Sequence, residues 1–299
     1  MKLSLSKRRA TAASGQGFIF ATTGTDYTDL ARRTARTLRL AMPDAQIDLF
    51  TDQEIEDTVF DKIHPIREGG PRPKMQALQS SRFKKTIYLD ADIVVLEDLS
   101  DVFELLEITP IAAALGVSRN RVEMKSYLQT IPHCFPVFNS GVLAVRKCAE
   151  TEALIEDWDK NYRASTLLKD QPVLRGTLYQ RKLTPMVLPP EYNLLKMSML
   201  KTWGSKSGGV RCLHVRALHD VSNAMTDEPV SLHEVVDDEV FQNLVAARQG
   251  DHSLTGESPV YSLPAIRPLV KPDRKKRKQH KRDLLGAGAG SATKAMPEQ

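Results

Sequence analysis

Short runs of β-branched, aromatic and aliphatic residues alternate with longer amphipathic segments along the first third of this chain. Runs of this length and composition are typical of strands covered on both faces. The runs that predict strands are Gly17–Thr22, Gln46–Thr51 and Thr86–Leu89. Apolar residues at helical spacing predict helices over 28–42 and 74–83, and a short further strand is predicted at 62–66. This β-α-β-β-α-β order predicts parallel strand pairing with right-handed crossovers.

The same alternation continues in the following hundred residues. Apolar runs predict strands at 111–115 and 142–145, and Ser100 is expected to begin a short helix. Two longer helices are predicted, one carrying Trp158 on its apolar face and one starting near Pro172, a residue that suits a first helical turn. The chain is therefore predicted to have an α/β fold with a mostly parallel central sheet flanked by helices.

Charge divides the chain into a central domain and two basic ends. The sequence carries 42 Lys and Arg against 37 Asp and Glu, a formal net charge of +5. Basic residues concentrate in residues 1–16 and 264–299, where Arg274–Arg282 is a nearly continuous basic run, so residues 17–263 are mildly acidic. We predict one domain over 17–263 with flexible ends, because such polar ends bury too little apolar surface to offset their ordering entropy.

Several classes of protein are disfavoured by composition. No apolar run approaches the roughly 20 residues that span a bilayer, and the basic start at Met1–Arg9 lacks the apolar segment of a signal peptide. The three cysteines are odd in number and lack metal-ligand spacing. Reduced thiols and a cytoplasmic location are therefore expected. Specific nucleic-acid binding is not expected, whereas weak contact of the C-terminal tail with an anionic membrane surface is predicted.

Two carboxylates interrupt an otherwise apolar stretch at Asp90 and Asp92. Thr86–Leu89 leads into them and Ile93–Leu96 follows, so both lie at the carboxyl end of a predicted buried strand. Ligands of α/β sheets bind at this end of the strands. Because buried charge is costly unless a cation compensates it, a divalent ion that joins these oxygens to a substrate diphosphate is the economical interpretation.

The acidic motif belongs to an ordered set of segments. In chain order they are Lys74, Tyr88–Asp92, Phe138–Val142, Asp170–Gln171, Leu188–Asn193 and Cys212–Val215. Together they resemble the retaining glycosyltransferases of the glycogenin and bacterial lipopolysaccharide galactosyltransferase type, glycosyltransferase family 8. The resemblance covers residues 17–216 and implies the Rossmann-like GT-A fold of nucleotide-diphospho-sugar transferases. Its specificity comes from the combination of Tyr88–Asp92 with Phe138–Val142.

The resemblance implies a metal site. Asp90 and Asp92 would bind a divalent ion, usually Mn²⁺, and His214 would be the third protein ligand. An imidazole in an otherwise all-oxygen site suits Mn²⁺ better than Mg²⁺, which stays the alternative. An ion bound to both phosphates would offset the charge that develops on the departing nucleoside diphosphate.

The resemblance also implies contacts to the sugar donor. Tyr27, in the loop after the first predicted strand, would stack on a uracil ring, and Lys74 matches a basic residue near the sugar phosphate. The remaining implied contacts to the nucleoside or the donor sugar are Thr22, Thr23, Asn139 and Ser140.

Asp170 and Gln171 match a pair that holds sugar hydroxyls beside the anomeric carbon, so they are the catalytic candidates. Retention of configuration allows two mechanisms. Gln171 could act on the face opposite the leaving group, or the acceptor could attack on the same face as the departing diphosphate. The second is favoured, because an amide is a poor nucleophile and no carboxylate is clearly placed for a two-step route.

One part of the family pattern is missing. Members usually follow the metal-binding histidine with a glycine and a Lys-Pro-Trp clasp over the diphosphate, whereas here His214 leads into Val215–Asp220. Arg216 is the candidate for the missing positive charge. The alternatives are Lys201, Lys206 and Arg211.

The predicted function is metal-dependent transfer of a hexose, with retention, from a nucleotide sugar to an acceptor hydroxyl. A UDP-sugar is the expected donor, and the acceptor is a glycan, a protein or a lipid-linked group. The missing clasp leaves open a catalytically weak sugar-nucleotide-binding or scaffold protein of the same fold. A nucleic-acid-associated protein that acts through its basic ends is a third possibility, and it would bind with a steep salt dependence.

Overall fold

The computed structural model of this chain describes residues 15–66, 72–119, 124, 127–203 and 206–270. Within these ranges the chain forms a seven-stranded sheet and a two-stranded sheet, with helices packed on the large sheet. No helix in these ranges is long and apolar enough to cross a bilayer.

The large sheet is mostly parallel, as predicted. The described strands are β1 (Gln16–Thr22), β2 (Ile47–Thr51), β3 (Lys62–Pro65), β4 (Lys85–Leu89), β5 (Ile93–Val95), β6 (Ile111–Leu115), β7 (Phe138–Arg146), β8 (Met186–Leu188) and β9 (Cys212–His214). Their order in the large sheet is β3-β2-β1-β4-β7-β6-β8, and β5 pairs with β9 in the small sheet. The pairs from β3 to β4 are parallel, and β7 runs antiparallel to both of its neighbours.

The helices cover both faces of the large sheet. They are α1 (Thr25–Ala41), α2 (Lys74–Ser80), α3 (Ser100–Leu105), α4 (Ala149–Ala164), α5 (Gln171–Arg181), α6 (Leu232–Val235) and α7 (Asp238–Gly250). Alternate residues of β1 point to opposite faces of the sheet. Phe18 and Phe20 lie in the core under α1 and α3. Ile19 and Ala21 lie in the core under α2, α4 and α5.

The start of α1 was predicted three residues too late, and Tyr27 lies in its first turn rather than in a loop. Gly24 has φ 78°, a left-handed conformation that glycine adopts without strain, so the chain reverses at once after β1. Asp26 then lies in the first turn, where its negative charge interacts favourably with the helix dipole.

Strand β7 begins four residues before its predicted start at Val142. Asn139 and Ser140 are polar and hide the strand pattern, yet both are buried in the sheet beside β4. The backbone N–H of Asp90 donates to Gly141 O at 2.8 Å, which continues the β4–β7 pairing one step beyond the end of β4. The Phe138–Val142 block is therefore placed directly against the acidic motif.

The C-terminal part of the described chain is attached to α1. Arg33 and Glu234 form an ion pair at 2.8 Å in which both side chains are fully buried. Farther along, Val270 N–H donates to Glu234 O at 2.7 Å. Residues 1–14 and 271–299, which hold most of the two predicted basic ends, lie outside the described residues, so the domain boundaries stay predictions.

Candidate active site

Asp90 and Asp92 lie in the turn that joins β4 to β5. Ile93 N–H donates to Asp90 O at 3.0 Å, which closes the turn. Asp92 is 3% exposed. His214 is the last residue of β9 and pairs with Ile93 across the small sheet, so the pairing of β5 with β9 brings a histidine from far along the chain to this turn.

These three residues form a set of possible metal ligands. One ligand atom each from Asp90, Asp92 and His214 lies within 4.8 Å of the other two. Nε2 of His214 lies 3.3 Å from Oδ1 of Asp92. Two carboxylates and an imidazole are a suitable donor set for a divalent ion, and two ligands bound at about 2.1 Å and at right angles to one ion lie about 3 Å apart. The residues present therefore fit a divalent metal.

A chain of amide groups sets the orientation of His214. Oδ1 of Asn139 accepts from Gly141 N–H at 2.8 Å and from Nδ2 of Asn193 at 2.8 Å. Oδ1 of Asn193 then faces Nδ1 of His214 at 3.2 Å. Because an amide oxygen only accepts, Nδ1 carries a proton, and in the neutral ring Nε2 presents its lone pair toward Asp92. This tautomer is suited to metal binding through Nε2.

The charges at this site outweigh the cost of burial. Burial would raise the pKa of Asp92, but the imidazoles of His214 and His219 hold it well below its usual range. Burial opposes a charge on His214, yet the neighbouring Asp92 carboxylate raises the pKa of the imidazole. The immediate surroundings of Asp92 thus favour positive charge.

Lys74 connects the acidic motif to the second predicted pair of site residues. Its Nζ donates to Asp90 Oδ1 at 3.0 Å and to Ser140 Oγ at 3.0 Å, and it lies 3.5 Å from Asp170 Oδ2. Burial opposes its charge, but Asp170 and Asp90 together raise the pKa of the ammonium. Three predicted site residues, Asp90, Ser140 and Asp170, therefore meet around one buried cation.

Asp170 is a buried anion at the start of α5. Burial would raise its pKa, but Lys74 and Arg72 lower it. Its carboxylate also accepts a hydrogen bond from Ser140 Oγ at 3.3 Å. Gln171 follows as the first residue of α5 and is half-buried, and its side chain has no hydrogen-bond partner within the described residues.

The residues predicted to bind the nucleoside lie at the carboxyl end of β1. Thr22 is buried, and its hydroxyl hydrogen bonds to that of Thr28 at 2.9 Å. Thr23 is half-buried in the following loop. Tyr27 is 38% exposed, and its ring centroid lies 4.9 Å from that of His219.

Arg216 is exposed and begins a short 3₁₀-helix (Arg216–Asp220) directly after β9. Burial has the largest effect on Tyr27 and raises the pKa of its phenol. The positive charges of Arg72 and Arg216 act in the opposite direction and lower this pKa. Arg211, an alternative source of positive charge for the diphosphate, is engaged elsewhere. Its guanidinium pairs with Asp251 at 3.3 Å and donates to Ser253 at 2.8 Å.

Three residues of this site had no role in the sequence interpretation, although Asn193 ends the Leu188–Asn193 segment of the resemblance. Asn193 orients His214, Nε2 of His219 lies 3.0 Å from Asp92 Oδ2, and Nε of Arg72 lies 3.7 Å from Asp170 Oδ1. Nε of Arg72 is buried and has no hydrogen-bond partner within the described residues. The available signals were weak: His219 stands where the family clasp is missing, and Arg72 comes two residues before Lys74.

No protein-family model and no curated protein sequence matches this chain. Among solved structures, the galactosyltransferase LgtC in complex with donor and acceptor sugar analogues is similar, with a TM-score of 0.50 and 14% identity over 66% of this chain and 86% of LgtC. An active-site mutant of LgtC with glutamine changed to glutamate matches with the same values. The chain has the GT-A fold. GlyE of Streptococcus pneumoniae TIGR4 has a TM-score of 0.49 and 19% identity, over 67% of this chain and 54% of GlyE.

The GT-A fold confirms the predicted fold class, and the two LgtC structures are of a glycosyltransferase. At such low identity the likeness concerns the fold.

Proposed function

We propose that this GT-A protein is a metal-dependent glycosyltransferase that transfers a hexose, with retention, from a UDP-sugar to an acceptor hydroxyl. One observation carries the proposal. A set of possible metal ligands at Asp90, Asp92 and His214 is joined through buried Lys74 to Asp170. Clusters of coupled, buried charges at the carboxyl ends of sheet strands are typical of sites that bind and transform ligands.

Asp90, Asp92 and His214 would hold the metal, with Mn²⁺ as the expected ion and Mg²⁺ as the alternative. When bound, a divalent ion supplies charge that stabilises the departing nucleoside diphosphate. Nε2 of His214 and Oδ1 of Asp92 lie 3.3 Å apart, a separation that suits two ligands of one ion, and this supports the assignment.

The nucleotide would lie along the end of β1 with its base on the exposed ring of Tyr27. The hydroxyl of Thr22 is hydrogen bonded to that of Thr28, so Thr22 would anchor the loop that follows β1. Thr23, in this loop, would contact the nucleoside. Arg216 would approach the diphosphate in place of the missing clasp. Its exposure, its position after β9 and its electrostatic interaction with Tyr27 support that role.

The donor sugar would lie between the metal site and α5. Ser140 and Lys74 lie beside Asp170, and each has polar atoms that suit a sugar hydroxyl or phosphate oxygen. Asn139 would contact the sugar through Nδ2, because its Oδ1 is already engaged with Gly141 and Asn193.

We favour attack by the acceptor on the same face as the departing diphosphate. Asp170 is held ionised by two cations, so it would stabilise positive charge that develops at the anomeric carbon. Gln171, adjacent on α5, would stabilise the same charge through its amide oxygen. An amide is a poor nucleophile, and this disfavours a covalent intermediate on Gln171. The glutamine mutated in the active site of LgtC is consistent with this role.

Donor binding tests the proposal first. A panel of nucleotide sugars is screened by thermal shift with and without Mn²⁺, and a matching donor at 100 times its Kd stabilises the fold by about 2.7 kcal/mol, or about 5–10 °C in Tm. Asp92→Asn should remove the Mn²⁺-dependent shift. Asp157→Asn, which loses a surface ion pair with Arg181 on α5, is the control and should keep it. A donor shift that survives in Asp92→Asn or in excess EDTA would contradict the metal assignment.

Turnover then separates an enzyme from a sugar-nucleotide-binding scaffold. The enzyme releases UDP from the matching donor in Mn²⁺ and transfers the sugar when an acceptor is supplied. A scaffold binds the same donor without releasing UDP. Because the acceptor is a glycan, protein or lipid-linked group, candidates of all three kinds are supplied. A specific acceptor raises UDP release above the rate of donor hydrolysis in water.

A further inference from the structure

His219 and His214 lie on opposite sides of the Asp92 carboxylate. Nε2 of His214 faces Oδ1 at 3.3 Å, and Nε2 of His219 faces Oδ2 at 3.0 Å. Each oxygen of a nearly fully buried carboxylate therefore has its own imidazole. His219 belongs to neither the predicted ligand set nor the group of three that can share one ion.

The two imidazoles are not equivalent. Nδ1 of His214 is committed to Asn193 Oδ1, so Nε2, which faces Asp92, is the nitrogen left to bind an ion. Nδ1 of His219 has no hydrogen-bond partner within the described residues, and Nε2 points at a carboxylate oxygen. Nε2 of His219 therefore carries a proton and donates it to Oδ2. Oδ2 of Asp92 thus has a donor in His219, whereas Oδ1 faces the nitrogen of His214 that is left to bind an ion.

We propose that His219 is a positioning residue of the metal centre: its Nε2–H holds Oδ2 of Asp92 so that Oδ1 is presented to the ion beside His214. This inference rests on the proposed metal-dependent function and adds a residue to it. Hydrogen bonds that orient a ligating carboxylate are a general requirement of metal sites, and their loss typically costs 10–100-fold in metal affinity.

The segment that carries His219 also contacts Tyr27 and the backbone of Asp92. Its ring packs against Tyr27 with centroids 4.9 Å apart, and it lies on the 3₁₀-helix that follows β9. Val215 N–H, at the start of that segment, donates to Asp92 O at 2.8 Å. Asp92 is thus held by both its backbone and its side chain from the segment in which the family clasp is missing.

Two substitutions separate the hydrogen bond from the packing. His219→Phe keeps a ring against Tyr27 but removes the donor, whereas His219→Gln keeps an N–H donor of similar reach. His233→Phe is the matched control, because the His233 ring also packs on an aromatic ring, Phe241 at 4.6 Å, but on α6. The Mn²⁺ dissociation constant of the full-length protein is measured from the EPR signal of free Mn²⁺ in the absence of nucleotide, together with Tm.

We expect His219→Phe to weaken Mn²⁺ binding by about 10–100-fold and His219→Gln by less than about tenfold, with His233→Phe unchanged. If His219→Phe does not fold, His219→Leu takes its place, since it also lacks a donor. Undiminished Mn²⁺ binding in the donor-less variant overturns the inference, and so does a loss in His219→Gln as large as that in His219→Phe. If either result is found while the wild-type protein binds Mn²⁺, only the role of His219 is refuted and the proposed metal site is retained. A wild-type protein that binds no Mn²⁺ refutes both the metal site and the role of His219.

Discussion

A methyl group at Gly141 tests whether the metal site depends on close approach of β7 to β9. A Cβ at this position would lie 2.6 Å from Cε1 and 2.7 Å from Nδ1 of His214, and 2.8 Å from Oδ1 of Asn139. Carbon atoms in contact are normally about 3.5–4.0 Å apart. Gly141→Ala must therefore move the imidazole by about 1 Å, because the backbone here is held by the Asp90 N–H bond to Gly141 O and by the pairing of Val142 with Leu89.

A displacement of this size breaks a metal–ligand bond but is tolerated by a folded hydrophobic core. Protein ligands lie within about 0.2 Å of their preferred metal distances, so a shift of 1 Å removes His214 from the ion. Overpacking by one methyl costs about 1–3 kcal/mol of folding stability, which a folded domain tolerates. We expect Gly141→Ala to fold, with a lower Tm, and to bind Mn²⁺ at least tenfold more weakly than the wild type.

A double-mutant cycle identifies the cause of this loss. His214→Ala removes the ring that the new methyl would meet, so adding Gly141→Ala to it should weaken Mn²⁺ binding little further. Gly116→Ala is the matched control. Its nearest contact is a Val137 methyl at 3.0 Å, with no metal-site residue among the nearest atoms. Wild-type Mn²⁺ affinity in Gly141→Ala, or a full additional loss in the His214→Ala background, would refute the reasoning.

Three further outcomes are expected. Gln171→Ala should lower donor turnover by about 100-fold with little change in UDP affinity. NMR of the wild-type product should show the same anomeric configuration as the donor, and an inverted configuration refutes the retaining mechanism. Glu234→Gln should cost about 3–5 kcal/mol in chemical denaturation, because it leaves the fully buried Arg33 without its counter-charge; a loss below 1 kcal/mol contradicts this. Deleting residues 271–299 should leave Tm and donor hydrolysis unchanged but weaken transfer to an anionic or lipid-linked acceptor at low salt. A truncated protein that melts well below the full chain would refute the prediction that residues 271–299 do not stabilise the fold.

Much of the fold was predictable because the strands are continuous apolar runs. β1 and β4 are buried along nearly their whole length, and their composition alone indicates strands. Prediction failed where polar residues are buried for a local reason. Asn139 and Ser140 interrupt the apolar pattern of β7, because one orients Asn193 and the other contacts Lys74.

The sequence alone determined the order of most elements as far as α5, the parallel half of the sheet and the acidic motif at the end of β4. These follow from local composition and from burial along single strands. Only the tertiary structure decided which polar groups meet. Asn139, Asn193 and His214 are far apart in the chain and form one hydrogen-bonded series because β7 and β9 pack beside the same turn. No periodicity encodes such contacts, since their geometry depends on how the two sheets pack. The same packing places His219 against Asp92, a contact that no sequence pattern predicted.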